Sequence, residues 1–190
     1  MLNVVIFGPP GSGKGTQSQK IIEKYGLTHI STGEILRKEI NEGSELGKLA
    51  KSLIDNGQLI PDETITEILK KKLNTLRNSK GVIFDGFPRT YKQAVALKKI
   101  LNKEGRDVNI MLNLEVDNNE LIDRLLKRGQ ISGRSDDNLE TIKKRIKVYE
   151  ARTAPVIDFY KSEGTYRPIK GTGNIEDIFG RIADALDAIV

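Results

Sequence analysis

Residues Gly8 to Thr16, Gly-Pro-Pro-Gly-Ser-Gly-Lys-Gly-Thr, have the residue types and the spacing of a polyphosphate-binding loop. An apolar run, residues 2–7, precedes them and is typical of a buried parallel strand, and the apolar spacing of residues 17–25 predicts a helix. In that order, the glycines let successive backbone N–H groups point inward, and the N-terminus of the helix adds a partial positive charge. We therefore expect the loop to bind phosphates, with the Lys14 ammonium contacting the β- and γ-phosphates. A glycine-rich turn with a solvated lysine is the less favoured alternative.

One carboxylate lies where a metal ion bound to those phosphates would need it. The apolar residues 81–84 predict a strand that ends at Asp85, and an acidic residue at such an end can hold Mg²⁺ or its water ligands. The residue after Lys14 is Gly15, and the nearest following hydroxyl is one position later, at Thr16. We therefore expect Mg²⁺ to be held mainly by phosphate oxygens and water, and Asp85 to reach it through water. Without the neighbouring loop, Asp85 would be better explained as a carboxylate in the following turn.

Strands and helices alternate along the sequence, which predicts an α/β fold of three layers. Right-handed crossovers would join the strands into a parallel sheet covered on both faces, with ligands at the carboxyl ends of the strands. Two short helices and an extended exit after the second strand predict a small helical insertion, residues 31–60. The predicted strands are residues 2–7, 28–31, 81–85, 108–116 and 166–169. The predicted helices are residues 17–25, 32–42, 45–56, 62–76, 91–104 and 119–128, a long helix that reaches residue 161 with a kink at Pro155, and a last helix over residues 175–189.

Local patterns also predict how three of these segments begin or end. Thr90 with Gln93, and Asp137 with Glu140, have the spacing of capping boxes, in which the two side chains satisfy backbone N–H groups at a helix N-terminus. Residues 129–133 begin and end with glycine, which predicts a short loop.

The composition excludes several kinds of site. With no cysteine among its 190 residues, the chain has no disulfide, no thiolate zinc site and no cysteine nucleophile. The 31 basic and 26 acidic residues are interleaved, so the net charge of +5 does not indicate a nucleic-acid-binding stripe. No run of residues is long and apolar enough for a signal peptide or a membrane span. We expect a soluble, cytoplasmic protein of one domain, with His29 in a structural role.

Four motifs that follow one another along the chain make it resemble the adenylate kinases. They are the loop Gly8–Thr16 in the family's own form G-x-P-G-x-G-K-G-T, Ser31-Thr32-Gly33-Glu34-Ile35-Leu36-Arg37, Asp85-Gly86-Phe87-Pro88-Arg89, and Gly133-Arg134. The resemblance covers the whole chain. It implies a P-loop kinase domain of residues 1–190, with five parallel strands in the order 2-3-1-4-5.

The same resemblance implies the reaction and its parts. The reaction would be reversible transfer of the terminal phosphoryl group of MgATP to AMP, giving two ADP, by a monomer. Residues 31–60 would be the insertion that binds the nucleoside monophosphate. Residues 128–137 would be a short lid without the structural zinc that some long-lid members carry.

The family's functional residues carry over to the matching positions of this chain. On the ATP side, the resemblance implies Gly11, Ser12, Gly13, Lys14, Gly15 and Thr16 for the phosphates, Arg124 and Arg128 for ATP and the transferring group, and the backbone of Gly173 for adenine. On the AMP side, it implies Thr32, Arg37, Gln58, Leu59, Ile60, Gly86, Phe87, Pro88, Arg89 and Gln93, together with Arg134 and Arg145 from the lid and the long helix. The catalytic group would be Lys14, Arg89, Arg124, Arg128, Arg134 and Arg145, which place forked donors around phosphate oxygens.

Two alternative functions use parts of the same pattern. Kinases that resemble UMP/CMP kinase tend to have alanine at the position of Thr32 and asparagine after the Phe-Pro-Arg segment, where this chain has Gln93. A glutamine amide offers a donor and an acceptor to adenine, although a capping role for Gln93 would compete with base recognition. A GTP-dependent switch would need an N-K-x-D sequence, and residues 102–105, Asn-Lys-Glu-Gly, lack its aspartate. The sequence therefore favours AMP as the phosphoryl acceptor.

Overall fold

Parallel strands form the sheet at the centre of the protein. The computed structural model describes residues 1–76 and 79–190, and its strands are β1 (Leu2–Phe7), β2 (Thr28–Ser31), β3 (Gly81–Asp85), β4 (Ile110–Glu115) and β5 (Tyr166–Lys170). They lie in the order β2-β3-β1-β4-β5 and all pairs are parallel, as predicted. The strand order reverses at β1, with β2 and β3 on one side and β4 and β5 on the other. Such a reversal opens a crevice at the carboxyl ends of the strands.

Helices connect these strands and cover the two faces of the sheet. In chain order they are α1 (Lys14–Tyr25), α2 (Thr32–Glu42), α3 (Glu45–Asp55), α4 (Asp62–Asn74), α5 (Tyr91–Asn102), α6 (Asn118–Ser132), α7 (Leu139–Val148), α8 (Val156–Ser162) and α9 (Ile175–Asp187). None of the helices in residues 1–76 and 79–190 has the length and apolar character needed to cross a bilayer.

The alternation of side chains along each strand divides the core between the two faces. In β1, Val5 and Phe7 face the cluster that α4, α5 and α8 complete, whereas Val4 and Ile6 face the cluster completed by α1 and α9. All four side chains are almost completely buried. Both faces of β1 are therefore covered, which explains why its sequence is continuously apolar rather than alternating.

The helix after β4 is longer than the sequence predicted. We expected it to end at Arg128 and to be followed by a loop, but α6 continues through Gly129 to Ser132 and ends at Gly133, whose φ is 64°. A Cβ atom at Gly129 would lie 2.9 Å from the carbonyl oxygen of Asp137. The glycine at position 129 is therefore explained by close packing of the following segment, and only Gly133 acts as a helix-ending residue.

The predicted long helix is divided into two. A π-helical turn, Tyr149–Thr153, separates α7 from α8, and Pro155, which has no N–H to donate, precedes the first residue of α8. The N-cap of α7 is Asn138, whose side chain accepts a hydrogen bond from the Thr141 amide at 2.9 Å. The capping box predicted for Asp137 and Glu140 is therefore wrong, and Asp137 has a different part in the structure.

Candidate active site

A cavity of about 1150 Å³ opens at the carboxyl ends of β1, β2 and β3. Most of the residues expected from the sequence to bind nucleotides line it. They are Gly11, Gly13, Lys14, Gly15, Thr16, Thr32, Arg37, Gln58, Leu59, Ile60, Asp85, Gly86, Pro88, Arg89, Gln93, Arg124, Arg128, Arg134, Arg145 and Gly173. Two expected residues do not line it: Ser12 and Phe87 are each only 1% exposed, and Phe87 belongs to the hydrophobic core.

The phosphate loop has the backbone geometry that its glycines predict. Gly11 and Gly13 have φ angles of 84° and 94°, in the left-handed region that favours glycine, and α1 begins directly afterwards. The Ser12 amide donates to the Pro9 carbonyl at 3.2 Å, which closes the turn. Ser12 therefore contributes to the site through its place in the loop, since its side chain is buried.

The Lys14 ammonium lies against its own loop. Its Nζ atom donates to the carbonyl oxygens of Gly8 and Pro9 at 2.8 Å and 2.9 Å and contacts the Ser12 hydroxyl at 3.4 Å. The pKa of Lys14 is lowered to about 7: burial lowers it most, the nearby charge of Asp85 raises it, and the charges of three cavity arginines lower it. A polyanion bound beside Lys14 would favour its charged form, so phosphate binding and protonation of this lysine are coupled.

Asp85 is ionised and lies beside β1 at the same edge of the sheet. It pairs with Ile6 in the register of β3 and β1, and its carboxylate lies 3.6 Å from Nε2 of His29. Burial by itself would raise the pKa of Asp85, but the His29 ring and the charges of Lys14 and Arg89 lower it overall. The His29 ring therefore lies beside the Asp85 carboxylate and favours its ionised form.

The donor set around Asp85 is compatible with a phosphate-bound Mg²⁺ ion. The described residues contain no group of three or more His, Cys, Asp or Glu side chains that would form a protein-only metal site. Mg²⁺ commonly keeps several water ligands and takes one or two carboxylates together with substrate phosphates. One ionised carboxylate next to a phosphate loop meets that requirement.

Six arginines line the cavity, and the structure divides them by the partners of their guanidinium groups. Arg128 donates two hydrogen bonds to the Asp137 carboxylate, both at 2.7 Å. Arg145 contacts the carboxylates of Asp136 and Asp137, both at 2.9 Å. Bidentate and doubly paired guanidinium groups have a fixed orientation. The tertiary structure thus orients two arginines from two different helices with one pair of adjacent aspartates.

The other four arginines have weaker protein contacts. Arg124 forms an ion pair with Glu120 and donates to the Gly171 carbonyl at 3.0 Å, and Arg89 donates to the Gly86 carbonyl at 2.8 Å. The guanidinium groups of Arg37 and Arg134 have no hydrogen-bond partner within residues 1–76 and 79–190, although the Arg134 carbonyl accepts from the Asp137 backbone N–H at 3.3 Å. Burial lowers the pKa of Arg89, and the charge of the neighbouring Arg145 lowers it further. The cavity thus concentrates positive charge that an anion would stabilise.

Asp136 and Asp137 are the functional residues that sequence reasoning missed. The side chain of Asp137 has no exposed surface. Burial would raise its pKa, but the hydrogen bonds and charge of Arg128, with those of Arg145, lower it overall. The available signal was two adjacent acidic residues close after Arg134, in a segment expected to bind phosphates, where carboxylates are otherwise unfavourable.

On the β2 and β3 side of the cavity, polar side chains form a connected group. The Thr32 hydroxyl donates to the Gly86 carbonyl at 2.9 Å. The Gln93 amide accepts from the backbone N–H of Arg89 at 2.7 Å and donates to Asp62 at 2.8 Å. The N-terminus of α5 is capped by Thr90, whose hydroxyl accepts a hydrogen bond from the backbone N–H of Gln93 at 3.2 Å. The side chain of Gln93 is therefore oriented by Arg89 and Asp62, and retains one further donor and acceptor position.

The end of α3 and the residues that follow it contact both α7 and the segment before it. The Ser135 hydroxyl donates to the Asp55 carboxylate at 2.6 Å, and the Thr141 hydroxyl donates to the Asp55 carbonyl at 3.1 Å. A Cβ atom at Gly57 would lie 3.1 Å from Cβ of Lys144, so the two segments are in close contact there as well. Of the residues in this contact, Gly57 lines the cavity.

Comparison with known proteins agrees with this geometry. A family model described as adenylate kinase matches residues 6–165. A curated adenylate kinase of Parabacteroides distasonis is 61% identical over 189 residues, covering 100% of both chains. Those of Bacteroides thetaiotaomicron and Porphyromonas gingivalis are 59% and 53% identical, covering 100% of both chains in the first case and 98% of this chain and 96% of the relative in the second. The chain therefore belongs to the adenylate kinase family, the ATP:AMP phosphotransferases, as its motifs predicted.

Proposed function

We propose that this chain transfers the terminal phosphoryl group of MgATP to AMP within the cavity described above, with the division of residues set out below. The observation that carries the proposal is the convergence of a phosphate loop and six arginines on one cavity of about 1150 Å³. That volume exceeds the roughly 300–1,000 Å³ typical of a pocket for one small ligand, so two nucleotides can be accommodated.

ATP would bind on the side of the phosphate loop. The backbone of residues 11–16 and the Lys14 ammonium would hold its phosphates, and the turn that contains Gly173 would contact the adenine. Arg124 and Arg128 would face ATP and the transferring group. Asp85 would hold a water ligand of Mg²⁺, and the metal when bound would neutralise charge on the phosphates.

AMP would bind on the side of the insertion. Arg37, Arg89, Arg134 and Arg145 would contact its phosphate or the transferring group, while residues 58–60 and 86–88 would border the nucleotide. Thr32 and Gln93 would face the base. The remaining donor and acceptor positions of the Gln93 amide match the edge of adenine, so orientation of Gln93 by Asp62 supports base recognition.

Catalysis would depend on position and charge rather than on a general base. The acceptor is an ionised phosphate oxygen, and transfer requires this oxygen to lie in line with the γ-phosphorus. The guanidinium groups would stabilise the negative charge on the transferring group. Because water would otherwise accept the phosphoryl group, residues 31–60 as the AMP-binding insertion and residues 128–137 as the lid would enclose the substrates.

The remaining parts of the proposal concern partners and location. We propose that the chain acts on ATP, AMP and ADP as a monomer in the cytoplasm, with no nucleic-acid or membrane partner and no structural zinc. The interleaved basic and acidic residues and the lack of cysteine support these points.

Initial rates of ADP formation test the proposal directly. MgATP would be combined with AMP, dAMP, CMP, UMP or GMP, each compared with a reaction that lacks acceptor. We expect a strong preference for AMP. A preference for CMP or UMP would leave the phosphoryl-transfer chemistry but contradict the assignment of Thr32 and Gln93, and hydrolysis that does not depend on acceptor would contradict the kinase assignment.

A further inference from the structure

Gln17, in the first turn of α1, connects the phosphate loop to the start of α9. Its amide nitrogen donates to the carbonyl oxygen of Ile175 at 3.1 Å, and its backbone N–H donates to the carbonyl of Gly13 in the loop. Ile175 is the first residue of α9 and, like Gln17, lines the cavity. The turn before it contains Gly173. One side chain therefore joins the two segments that border opposite ends of the proposed ATP site.

This contact is not what a side chain chosen for stability would provide. Gln17 is 2% exposed, and its amide oxygen has no hydrogen-bond partner among residues 1–76 and 79–190. A buried carbonyl without a partner is unfavourable, and an apolar side chain of the same length would avoid that cost. The Ile175 carbonyl would still accept a hydrogen bond within α9, as carbonyls in the first turn of a helix do.

The packing of α1 against α9 has other supports farther from the cavity. At the opposite end of the two helices, the Tyr25 hydroxyl and the Lys24 ammonium donate to the Asp187 carboxylate at 2.6 Å and 2.7 Å. Between the two ends, Ile21 and Ile182 are completely buried in the same core cluster. Gln17 is therefore not needed to hold the helices together. The Lys20–Glu176 ion pair, at 2.6 Å, also joins the two helices near the cavity, but the Glu176 side chain is 73% exposed, whereas Gln17 is buried between the helices.

We propose that Gln17 is a positioning residue that sets the distance between the phosphate loop and the adenine-binding turn, residues 171–174. The inference rests on the proposed assignment of this turn to the base of ATP. A nucleotide that binds at both ends pays less in conformational entropy when the two protein segments are already fixed relative to each other. Gln17 thus acts on ATP binding and leaves the AMP side and the transferring group unaffected.

The substitution Gln17→Met tests this proposal, because it keeps the length of the side chain and removes the amide. We expect the KM for MgATP to rise about three- to tenfold, the effect of losing one hydrogen bond, with kcat and the KM for AMP unchanged. The melting temperature should stay the same or rise. The preference for ATP over UTP as donor should narrow, because the base contacts are weakened while the phosphate contacts remain.

Tyr25→Phe is the matched control, since it removes hydrogen bonds between the same two helices at the end away from the cavity. We expect it to lower the melting temperature slightly and to leave both KM values unchanged. An unchanged KM for MgATP in Gln17→Met would overturn the proposal, and so would equal rises in the KM for MgATP and for AMP.

Calorimetric titration with ATP separates this proposal from the proposed function. If the unsubstituted chain binds ATP but does not phosphorylate AMP, the proposed function fails, and the ATP affinities of the two chains still test Gln17. A weaker ATP affinity in Gln17→Met supports the positioning role, and equal affinities overturn it.

Discussion

The phosphate loop and the arginines Arg128 and Arg145 both provide positive charge to the same cavity, but they are held in place by different interactions. The loop is fixed by its own backbone: Gly11 and Gly13 adopt left-handed conformations, and Lys14 bonds to the carbonyls of Gly8 and Pro9. Arg128 and Arg145, by contrast, come from two helices and are held by Asp136 and Asp137, which belong to neither helix. A local motif thus forms one side, and a tertiary network forms the other.

This difference predicts which substitutions should disturb the loop and which should disturb the arginines. The backbone conformation of the loop is set mainly within residues 8–16, so substitution of an arginine that lines the cavity should change it little. The orientation of Arg128 and Arg145 depends on the side chains of Asp136 and Asp137. Because the guanidinium groups lie close together and repel one another, each needs a counter-charge or an anion. The following predictions test that comparison, from the largest expected effect to the smallest.

Loss of one arginine that lines the cavity should have the largest effect on turnover. We expect Arg89→Ala to lower kcat by about 10³-fold, because it removes a charge proposed to lie between the acceptor and the transferring phosphoryl group. The free energy of unfolding should change little, since the guanidinium bonds mainly to the Gly86 carbonyl. Steady-state kinetics and urea unfolding measure the two effects. The exposed Arg167→Ala is the control, and near-normal turnover of a folded Arg89→Ala variant would remove Arg89 from the mechanism.

Loss of the shared counter-charge should affect stability. We expect Asp137→Asn to lower the free energy of unfolding by about 2 kcal/mol, because it leaves Arg128 and Arg145 without the carboxylate between them. The pKa of Asp137 is lowered in the folded state, so its contribution is present above the unfolded pKa and is lost as pH falls through the folded one. The difference between the two proteins should therefore shrink below pH about 4. Denaturant unfolding at several pH values measures it, with Asp158→Asn, at a carboxylate 83% exposed, as the control. Equal unfolding free energies at pH 7 would contradict the structural role of Asp137.

The protonation of Lys14 in the phosphate loop should make ATP binding depend on pH. The pKa of Lys14 is about 7 in the folded protein, so the ammonium is increasingly deprotonated above that pH. Bound phosphates favour the charged form, and we therefore expect proton uptake on binding and a loss of affinity of about fivefold between pH 7 and pH 8. Calorimetric titrations in buffers with different ionisation enthalpies measure both. Lys14→Met should bind ATP more weakly and lose this pH dependence; a variant that kept the full dependence would show that another group titrates.

The contact between the proposed AMP-binding insertion and the proposed lid should have the smallest effect. We expect Ser135→Ala to raise the KM for AMP by about twofold, because it removes an exposed hydrogen bond to Asp55. Lys51→Ala is the control, since Lys51 pairs with the same carboxylate from within α3. A larger effect from Lys51→Ala than from Ser135→Ala would contradict a specific role for the contact between the two segments.

The correct and incorrect sequence predictions follow the same division between local and tertiary interactions. The strands, the loop and its lysine were predicted because periodicity and glycine spacing act over a few residues, whereas the strand order was implied by the resemblance to the family. Gly129 was interpreted as the start of a loop, but it lies inside α6, and the residue there is glycine because the carbonyl of Asp137 packs where a Cβ would lie. The resemblance also implies that Phe87 contacts AMP; its side chain lies in the core, and a contact with AMP stays a prediction.

The sequence by itself determined the fold family, the phosphate loop and the set of arginines, because these features depend on residue type, spacing and motif order. Only the tertiary structure decided which arginines are paired, and it assigned Asp137 to them instead of to the N-cap of α7. It also decided that Gln17 bonds to Ile175, across a separation of 158 residues. Such contacts depend on where the sheet brings distant helices together, so they cannot be predicted from the residues next to each side chain in the sequence.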